Sequence, residues 1–298
     1  MLYSNVMTVF QSIILGILQG VAEFLPISSS GHLQLAQSLF NLDEVPLLFD
    51  VFLHLSTLAA VCIFFWKKIW ALLKCFGRWI TKNNAFLDEL PNADENDILC
   101  KNDRAGRKTI IAIIIATFIT GVMGIIASKL MPQLNVKFVC VGFLVTSLLL
   151  IISSLLEKKQ CAKVDDEKKD CDKNEGVSML QSIVIGVMQG FGTLPGISRS
   201  GSTISGALFS KVNRKAAGDF SFIVSIPAIL GAFILELKDL GEVTSSIGVV
   251  PLIAGCLASF VVGYFSLSLL MKLIRKGKLA WFAAYLIPVA ILGFIFLK

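Results

Sequence analysis

Gln19 and Glu23 stand four residues apart in an otherwise apolar run, so both side chains share one face of a helix. A carboxylate carried to the centre of a bilayer costs about 2.5–3.5 kcal/mol, and a group kept at that cost is a functional candidate. The other reading is a carboxylate near the mouth of the run, partnered by backbone alone. The run then breaks at Pro26-Ile-Ser-Ser-Ser-Gly-His32. The hydroxyls of Ser28, Ser29 and Ser30 can cap the helix that starts near His32, and the free N–H groups of a helix N-terminus attract anions. Ser29 and His32 are three apart, a spacing that predicts a hydroxyl meeting an imidazole for nucleophile activation or proton transfer. A second stretch, Pro195-Gly-Ile-Ser-Arg-Ser-Gly-Ser-Thr203, sets Arg199 among Ser198, Ser200, Ser202 and Thr203. A guanidinium in apolar surroundings needs an anionic partner, and its planar fork suits phosphate or carboxylate. Two partners fit: an anionic ligand, or Glu23 within the chain.

These two stretches are copies. The run from Gln11 to Gly31 aligns without gaps onto Gln181 to Gly201, with identity at Gly16/Gly186, Gln19/Gln189, Gly20/Gly190, Ser28/Ser198 and Gly31/Gly201 among others. Each copy is a short apolar helical pattern interrupted by Pro, Gly and hydroxyls. A doubled, interrupted apolar segment in the two halves of a membrane protein points to a central binding site.

The elements that must hold these loops follow from composition. Apolar residues are 55% of the chain and charged residues 16%, with a mean hydropathy of +0.77; soluble domains carry about 25% charged residues. Met1 to Phe10 has no Lys or Arg, so no cleaved signal peptide is expected. Six runs are long and apolar enough for a hydrocarbon core about 30 Å thick. They are Phe49–Trp66, Thr109–Ser128, Val136–Leu156, Asp219–Leu237, Val249–Met271 and Ala280–Leu297. Phe10–Leu25 and Gln181–Leu194 are too short to span and read as arms of re-entrant hairpins, whose irregular backbone must be buried or line a wet cavity.

The fold class expected is therefore an all-α polytopic membrane protein with an inverted-topology repeat, six transmembrane helices and two re-entrant helix–loop–helix hairpins. Residues 1–156 form the first repeat, with its hairpin at 10–40 and a cytoplasmic loop at 67–108. A charged cytoplasmic linker covers 157–178, and residues 179–298 form the second repeat, with its hairpin at 181–211. Three spans per half is an odd number, so the halves are inverted. Every Lys and Arg except Lys129, Lys137, Arg199, Lys238 and Lys298 then falls on one face, through segments 67–108, 157–178, 211–218 and 272–279. The positive-inside rule makes that face cytoplasmic and puts both termini outside. The net charge of +6 reads as topology rather than nucleic-acid binding. Trp66, Trp70 and Trp79 suit the interface beside the first loop.

Other polar groups carry less. Asp50 and His54 are four apart and could face the cavity together; equally, Asp50 could cap its helix and His54 be a packing residue. Glu236 and Asp239 mark an interface, and Pro227 reads as a kink. Of seven cysteines, Cys62, Cys140 and Cys256 lie in spans, and Cys75, Cys100, Cys161 and Cys171 in loops expected to face the reducing cytosol, where disulfides are rare. Their spacing fits no zinc site.

Gln19-Gly-Val-Ala-Glu-Phe-Leu-Pro-Ile-Ser-Ser-Ser-Gly-His32 with Pro195-Gly-Ile-Ser-Arg-Ser-Gly-Ser-Thr203 resembles the undecaprenyl-diphosphate phosphatases of the bacitracin-resistance family. Gln19 and Glu23 fill that family's paired Glu/Gln and Glu positions, and residues 195–203 match its Pro-Gly-x-Ser-Arg-Ser-x-x-Thr motif. Phe49–Thr57 and Phe220–Ala228 are also similar to it; only the charged stretches 83–104 and 158–176 stand apart. The resemblance implies a cell-membrane hydrolase that removes the terminal phosphate of a C55 polyprenyl diphosphate. The monophosphate would return to the carrier cycle of peptidoglycan synthesis, and abundant enzyme would confer bacitracin resistance. It implies a divalent cation, Mg²⁺ or Ca²⁺, on Glu23, and a site that opens toward the outer face. Arg199, Ser198, Ser200 and Thr203 would hold phosphoryl oxygens, with Gln19, Ser28, Ser30 and His54 as further substrate contacts. Ser29 would be the nucleophile and His32 its proton-transfer partner, or metal-activated water would attack with Ser29 merely binding phosphate. Expected partners are the lipid substrate and membrane lipids, with a homodimer left open. A polyprenyl-phosphate flippase or secondary transporter shares the inverted-repeat architecture and is the main alternative.

Overall fold

The computed structural model describes residues 7–40, 42, 47–81, 98–130, 136–163, 176–236 and 247–296. The acidic residues between 88 and 97, Cys171, Lys238, Asp239 and Lys298 lie outside these residues, as do the side chains of Cys161 and Glu236. The described residues contain eleven α-helices and no strand. The first loop lies between α1 (Val9–Ala22) and α2 (Ser29–Leu39), and the second between α7 (Met179–Phe191) and α8 (Arg199–Phe209). α1 and α7 open with the same capping box, Thr8 with Gln11 and Ser178 with Gln181. In each, the cap hydroxyl accepts the third N–H and the glutamine side chain answers the cap's own N–H, so the end of a short helix is satisfied without water.

The remaining helices are α3 (Leu47–Phe64), α4 (Trp66–Ile80), α5 (Asp103–Leu130), α6 (Val136–Lys163), α9 (Arg214–Glu236), α10 (Val249–Arg275) and α11 (Ala280–Phe296). Four of them contain stretches long and apolar enough to cross a membrane: Asp103–Lys129, Lys137–Leu156, Arg214–Leu235 and Val249–Arg275. α3 and α4 meet at a bend of 80° and count as a fifth candidate only together. The chain is an all-helical, multi-pass membrane protein. Pro227 lies inside α9, which continues through it.

Two sequence expectations change here. The span expected over Phe49–Trp66 ends at Phe64, and the segment beyond it begins with a helix rather than a solvated loop. Ala71, Leu72 and Cys75 recur at helical spacing on one buried face of α4, a signal masked by the basic residues around them. The run at 280–297 forms a helix of 17 residues; at 1.5 Å per residue this is about 25 Å, short of the hydrocarbon thickness of about 30 Å.

Packing crosses between the halves of the chain. α1 lies along α10, and α7 lies along α5. Small residues permit both contacts. A Cβ added to Gly20 would fall 2.8 Å from the Gly263 nitrogen and the Ser259 carbonyl oxygen, and one added to Gly186 would fall 2.8 Å from Ala116 Cα. Gly16 and Gly20 of α1 thus face Gly255, Ser259 and Gly263 of α10, while Gly186 faces Ala116 and Thr120 of α5. Such small-residue stripes let helices approach where lipid gives no hydrophobic drive for association.

One end of the bundle is tied by polar contacts. Lys68 of α4 pairs with Asp219 of α9, and Arg78 of α4 grips Asp103 of α5 with two nitrogens. The Gly176 N–H donates to the Ile98 carbonyl at 2.7 Å, and the Arg214 guanidinium lies against Gly277. Gly20→Leu should destabilise the protein by about 1–3 kcal/mol or more through overpacking, with loss of a monodisperse peak in detergent. Gly121→Leu, where an added Cβ meets nothing within 4 Å, should behave as wild type. Equal heat stability of the two variants would refute this view of the seam.

Candidate active site

The first loop is set by Glu23, Pro26 and Ser28. Glu23 caps α1 at its C-terminal end, its N–H donating to the Gln19 carbonyl. Ser28 has φ 70° and ψ 98°, a left-handed conformation that costs a non-glycine residue about 1–3 kcal/mol and clusters at functional sites. Its hydroxyl caps α2 at the Gly31 N–H. Its carbonyl accepts from the His32 N–H at 3.2 Å and from His32 Nδ1 at 2.9 Å. Since a carbonyl only accepts, Nδ1 carries the proton, and Nε2 lies 3.0 Å from the Tyr285 hydroxyl. The ring also leans on Phe143, with centroids 4.9 Å apart.

The second loop reaches the same place by different means. Gly196 takes φ 79°, and an added Cβ there would fall 2.7 Å from Val139 Cα. Only glycine suits both the turn and the close approach to α6. The Ser198 N–H donates to Thr146 Oγ1 of α6 at 2.9 Å, and the Ser198 hydroxyl accepts from the Gly201 N–H at 3.1 Å. Ser200 meets Ser198 side chain to side chain, and Thr203 donates back to the Arg199 carbonyl at 2.6 Å. Arg199 is therefore the first residue of a well-capped helix. The two loops touch where Gly201 lies against Pro26.

Arg199 Nη2 donates to Glu23 Oε1, closing an ion pair between the loops. Glu23 Oε2 accepts from Ser29 Oγ at 2.6 Å and from Gln19 Nε2 at 3.0 Å, and lies 3.3 Å from His54 Nε2. The Glu23 side chain is 3% exposed, against 21% for Arg199 and 27% for His54. A carboxylate thus lies at the floor of a site whose guanidinium and imidazole reach its opening. Charge-assisted bonds of this kind are strong, and breaking one partner of a buried pair leaves the other uncompensated.

The structure gathers Gln19, Glu23, Ser29, His54 and Arg199 and leaves the other candidates elsewhere. His32 does not meet Ser29. The turn at Ser28 sends the Ser29 hydroxyl to Glu23 and the imidazole to the Ser28 carbonyl and Tyr285. Ser198, Ser200 and Thr203 are buried and bonded within their own loop, Ser28 is buried, and Ser30 is exposed. Asp50 accepts from Gln37 of α2, and its backbone carbonyl meets His54 Nδ1. Tyr285, Thr146 and Gln37 complete the arrangement; Tyr285 and Thr146 come from helices far along the chain, which spacing alone could not connect to the loops.

The donors fit a hard cation that arrives with phosphate. Gln19 Oε1 is buried without a hydrogen-bond partner, beside the Glu23 carboxylate on the same helix face. A carboxylate and an amide oxygen are ligands that Mg²⁺ or Ca²⁺ accepts, with phosphate oxygens and water for the rest. Among the described residues no group of three or more His, Cys, Asp or Glu could make a dedicated metal cage.

The family described as Bacitracin resistance protein BacA matches residues 12–292. A protein of Treponema denticola named undecaprenyl-diphosphatase is 44% identical over 285 residues, covering 96% of each chain. Proteins of the same name from Carboxydothermus hydrogenoformans and Methanosphaera stadtmanae are 38% and 37% identical, covering 94% and 96% of this chain and 94% and 97% of their own. With nearly its whole length matched, and with the paired loops in place, this chain belongs to the bacitracin resistance protein family.

Proposed function

We propose that this chain hydrolyses undecaprenyl diphosphate to undecaprenyl phosphate and inorganic phosphate, recycling the lipid carrier of peptidoglycan synthesis. The observation that carries the reading is the Arg199–Glu23 pair joining the two loops, with Ser29 bonded to the same carboxylate. The relatives' name supplies the substrate, and it favours a hydrolase over a flippase or secondary transporter.

An incoming diphosphate competes with Glu23 for Arg199, the more exposed partner of the pair. Once the guanidinium turns to the terminal phosphoryl oxygens, the carboxylate is left to Ser29, which already donates to it, and accepts that proton. Ser29 Oγ then bonds to the terminal phosphorus while the bond from that phosphorus to the bridging oxygen breaks. The lipid monophosphate leaves with the electron pair, and water hydrolyses the phosphoserine. His54 and Gln19 orient Glu23 throughout. His32 holds the Ser28 turn, and Ser198, Ser200 and Thr203 hold the start of α8 behind Arg199. A divalent cation held by Glu23 and Gln19 with the phosphates would neutralise charge on the transferring group.

The same reading gives the chain two inverted repeats, 1–156 and 179–298, around the linker 157–178, with six membrane-crossing segments and two re-entrant hairpins. The exchanged packing of α1 on α10 and α7 on α5 supports it, as do the matched capping boxes. Contacts among Lys68, Asp219, Arg78, Asp103, Arg214 and Gly277 gather basic segments at one end, in keeping with a cytoplasmic face there, termini outside and a site opening outward in the cell membrane.

Purified protein in detergent should release phosphate from a long-chain prenyl diphosphate, and a chelator should stop it until Mg²⁺ or Ca²⁺ is restored. Arg199→Ala and Glu23→Ala should each lower turnover by about 10²–10³ or more without loss of membrane insertion; near-normal turnover would remove that residue from the site. Ser29→Ala should be inactive and the wild type should trap a phosphoserine, whereas substantial activity in the variant would favour attack by water. Cys75 is fully buried and cannot report sidedness. In a cysteine-depleted chain, Asn84→Cys should escape a membrane-impermeant thiol reagent in intact cells, and labelling there would reverse the orientation.

A further inference from the structure

We infer that α4 lies in the membrane interface and binds anionic phospholipid headgroups through Lys67 and Lys74. The helix has three distinct sides. Ala71, Leu72 and Cys75 are buried against the protein, and Lys68 and Arg78 are drawn into pairs with Asp219 and Asp103. These two pairs fix the helix against α9 and α5, so its remaining sides have a set orientation.

The second side is exposed and apolar. Trp66, Trp70, Leu73, Gly77 and Ile80 follow one helical stripe, with exposures of 59, 42, 53 and 64% for Trp66, Trp70, Leu73 and Ile80. Trp66 and Trp70 stack with ring centroids 5.6 Å apart. A water-exposed stripe of this kind is unfavourable, whereas indole rings at the headgroup boundary are favoured. α4 follows α3, an apolar helix of the bundle, across an 80° bend that sets α4 off its axis. The occupant of this side is therefore lipid.

The third side carries the charge. Lys67 and Lys74 are seven residues apart and lie on the same flank of the apolar stripe, about 10 Å from each other along the helix. Lys74 is 5.5 Å from the Trp70 ring centroid. From Trp66 to Ile80 there is no Asp or Glu. Basic residues flanking an aromatic and aliphatic face are the pattern of a helix lying in the interface, and they attract acidic lipids. Headgroup phosphate is the complementary anion.

The test uses Trp281→Phe, which confines the tryptophans of this four-tryptophan chain to Trp66, Trp70 and Trp79 of α4. The protein is reconstituted in nanodiscs of phosphatidylcholine with a fixed fraction of brominated phosphatidylglycerol or brominated phosphatidylcholine. Quenching by the brominated anionic lipid should be stronger by about two-fold or more, since each lysine near a surface favours acidic lipid about five-fold. In Lys67→Gln/Lys74→Gln the preference should vanish while quenching by the neutral lipid persists. Equal quenching by both lipids in the unaltered lysine background would overturn headgroup binding. Absence of quenching by either would place α4 away from lipid, and a disulfide-linked dimer formed by Gly77→Cys would identify a second copy as the occupant instead. Should Trp281→Phe fail to fold, retention of phosphatidylglycerol by the wild type and the lysine variant in native mass spectrometry gives the same decision.

Discussion

One buried carboxylate sets the terms for the rest of the molecule. Glu23 is closed off from water, with a guanidinium, a hydroxyl and an amide donating to it and an imidazole nitrogen 3.3 Å away. Without them an ionised group so buried would be too costly to keep. Each of these groups comes from a different backbone context, so α1, α2, α3 and α8 must all be in register around the carboxylate. The carboxylate is a demand on the fold.

The loops meet that demand with local devices that satisfy polar groups from within the protein. Their first arms begin with reciprocal capping boxes, and their second arms begin with serine caps at Ser28 and Ser198. Thr146 takes up the Ser198 N–H from the neighbouring helix, and Tyr285 and the Ser28 carbonyl hold His32. Irregular backbone at membrane depth is tolerated when its polar groups are satisfied from within the protein. The two copies diverge where chemistry begins: Glu23 aligns with Thr193, and Ser29 with Arg199. Each loop supplies what the other lacks.

Much of this was legible in the sequence, and the remainder was hidden for identifiable reasons. Arg199 and Glu23 stood out because charge in an apolar run needs a partner, and the loop positions followed from Pro, Gly and serine. The spacing of Ser29 and His32 suggested a pair, but spacing does not reveal that Ser28 is left-handed and parts them. Helix α4 is hidden in the sequence because basic residues are interleaved with its apolar stripe. Its internal pairs, Lys68 with Asp219 and Arg78 with Asp103, join residues far apart in the chain. His54 was readable as a cavity residue or a packing residue, and its contact with Glu23 is a matter of how α3 is rotated.

The glycine-lined seam between α1 and α10 has a consequence for how such a protein can vary. The acid sits on one side of the seam's own helix and the arginine in the opposite half, so the spacing of two backbones determines whether they meet. A single methyl group at Gly20 would push against main-chain atoms of α10 rather than a pliable side chain. Drift in sequence is then free on lipid-facing sides and nearly frozen along this line, where no compensating shrinkage is left to make. The meeting of acid and arginine is held by the absence of atoms.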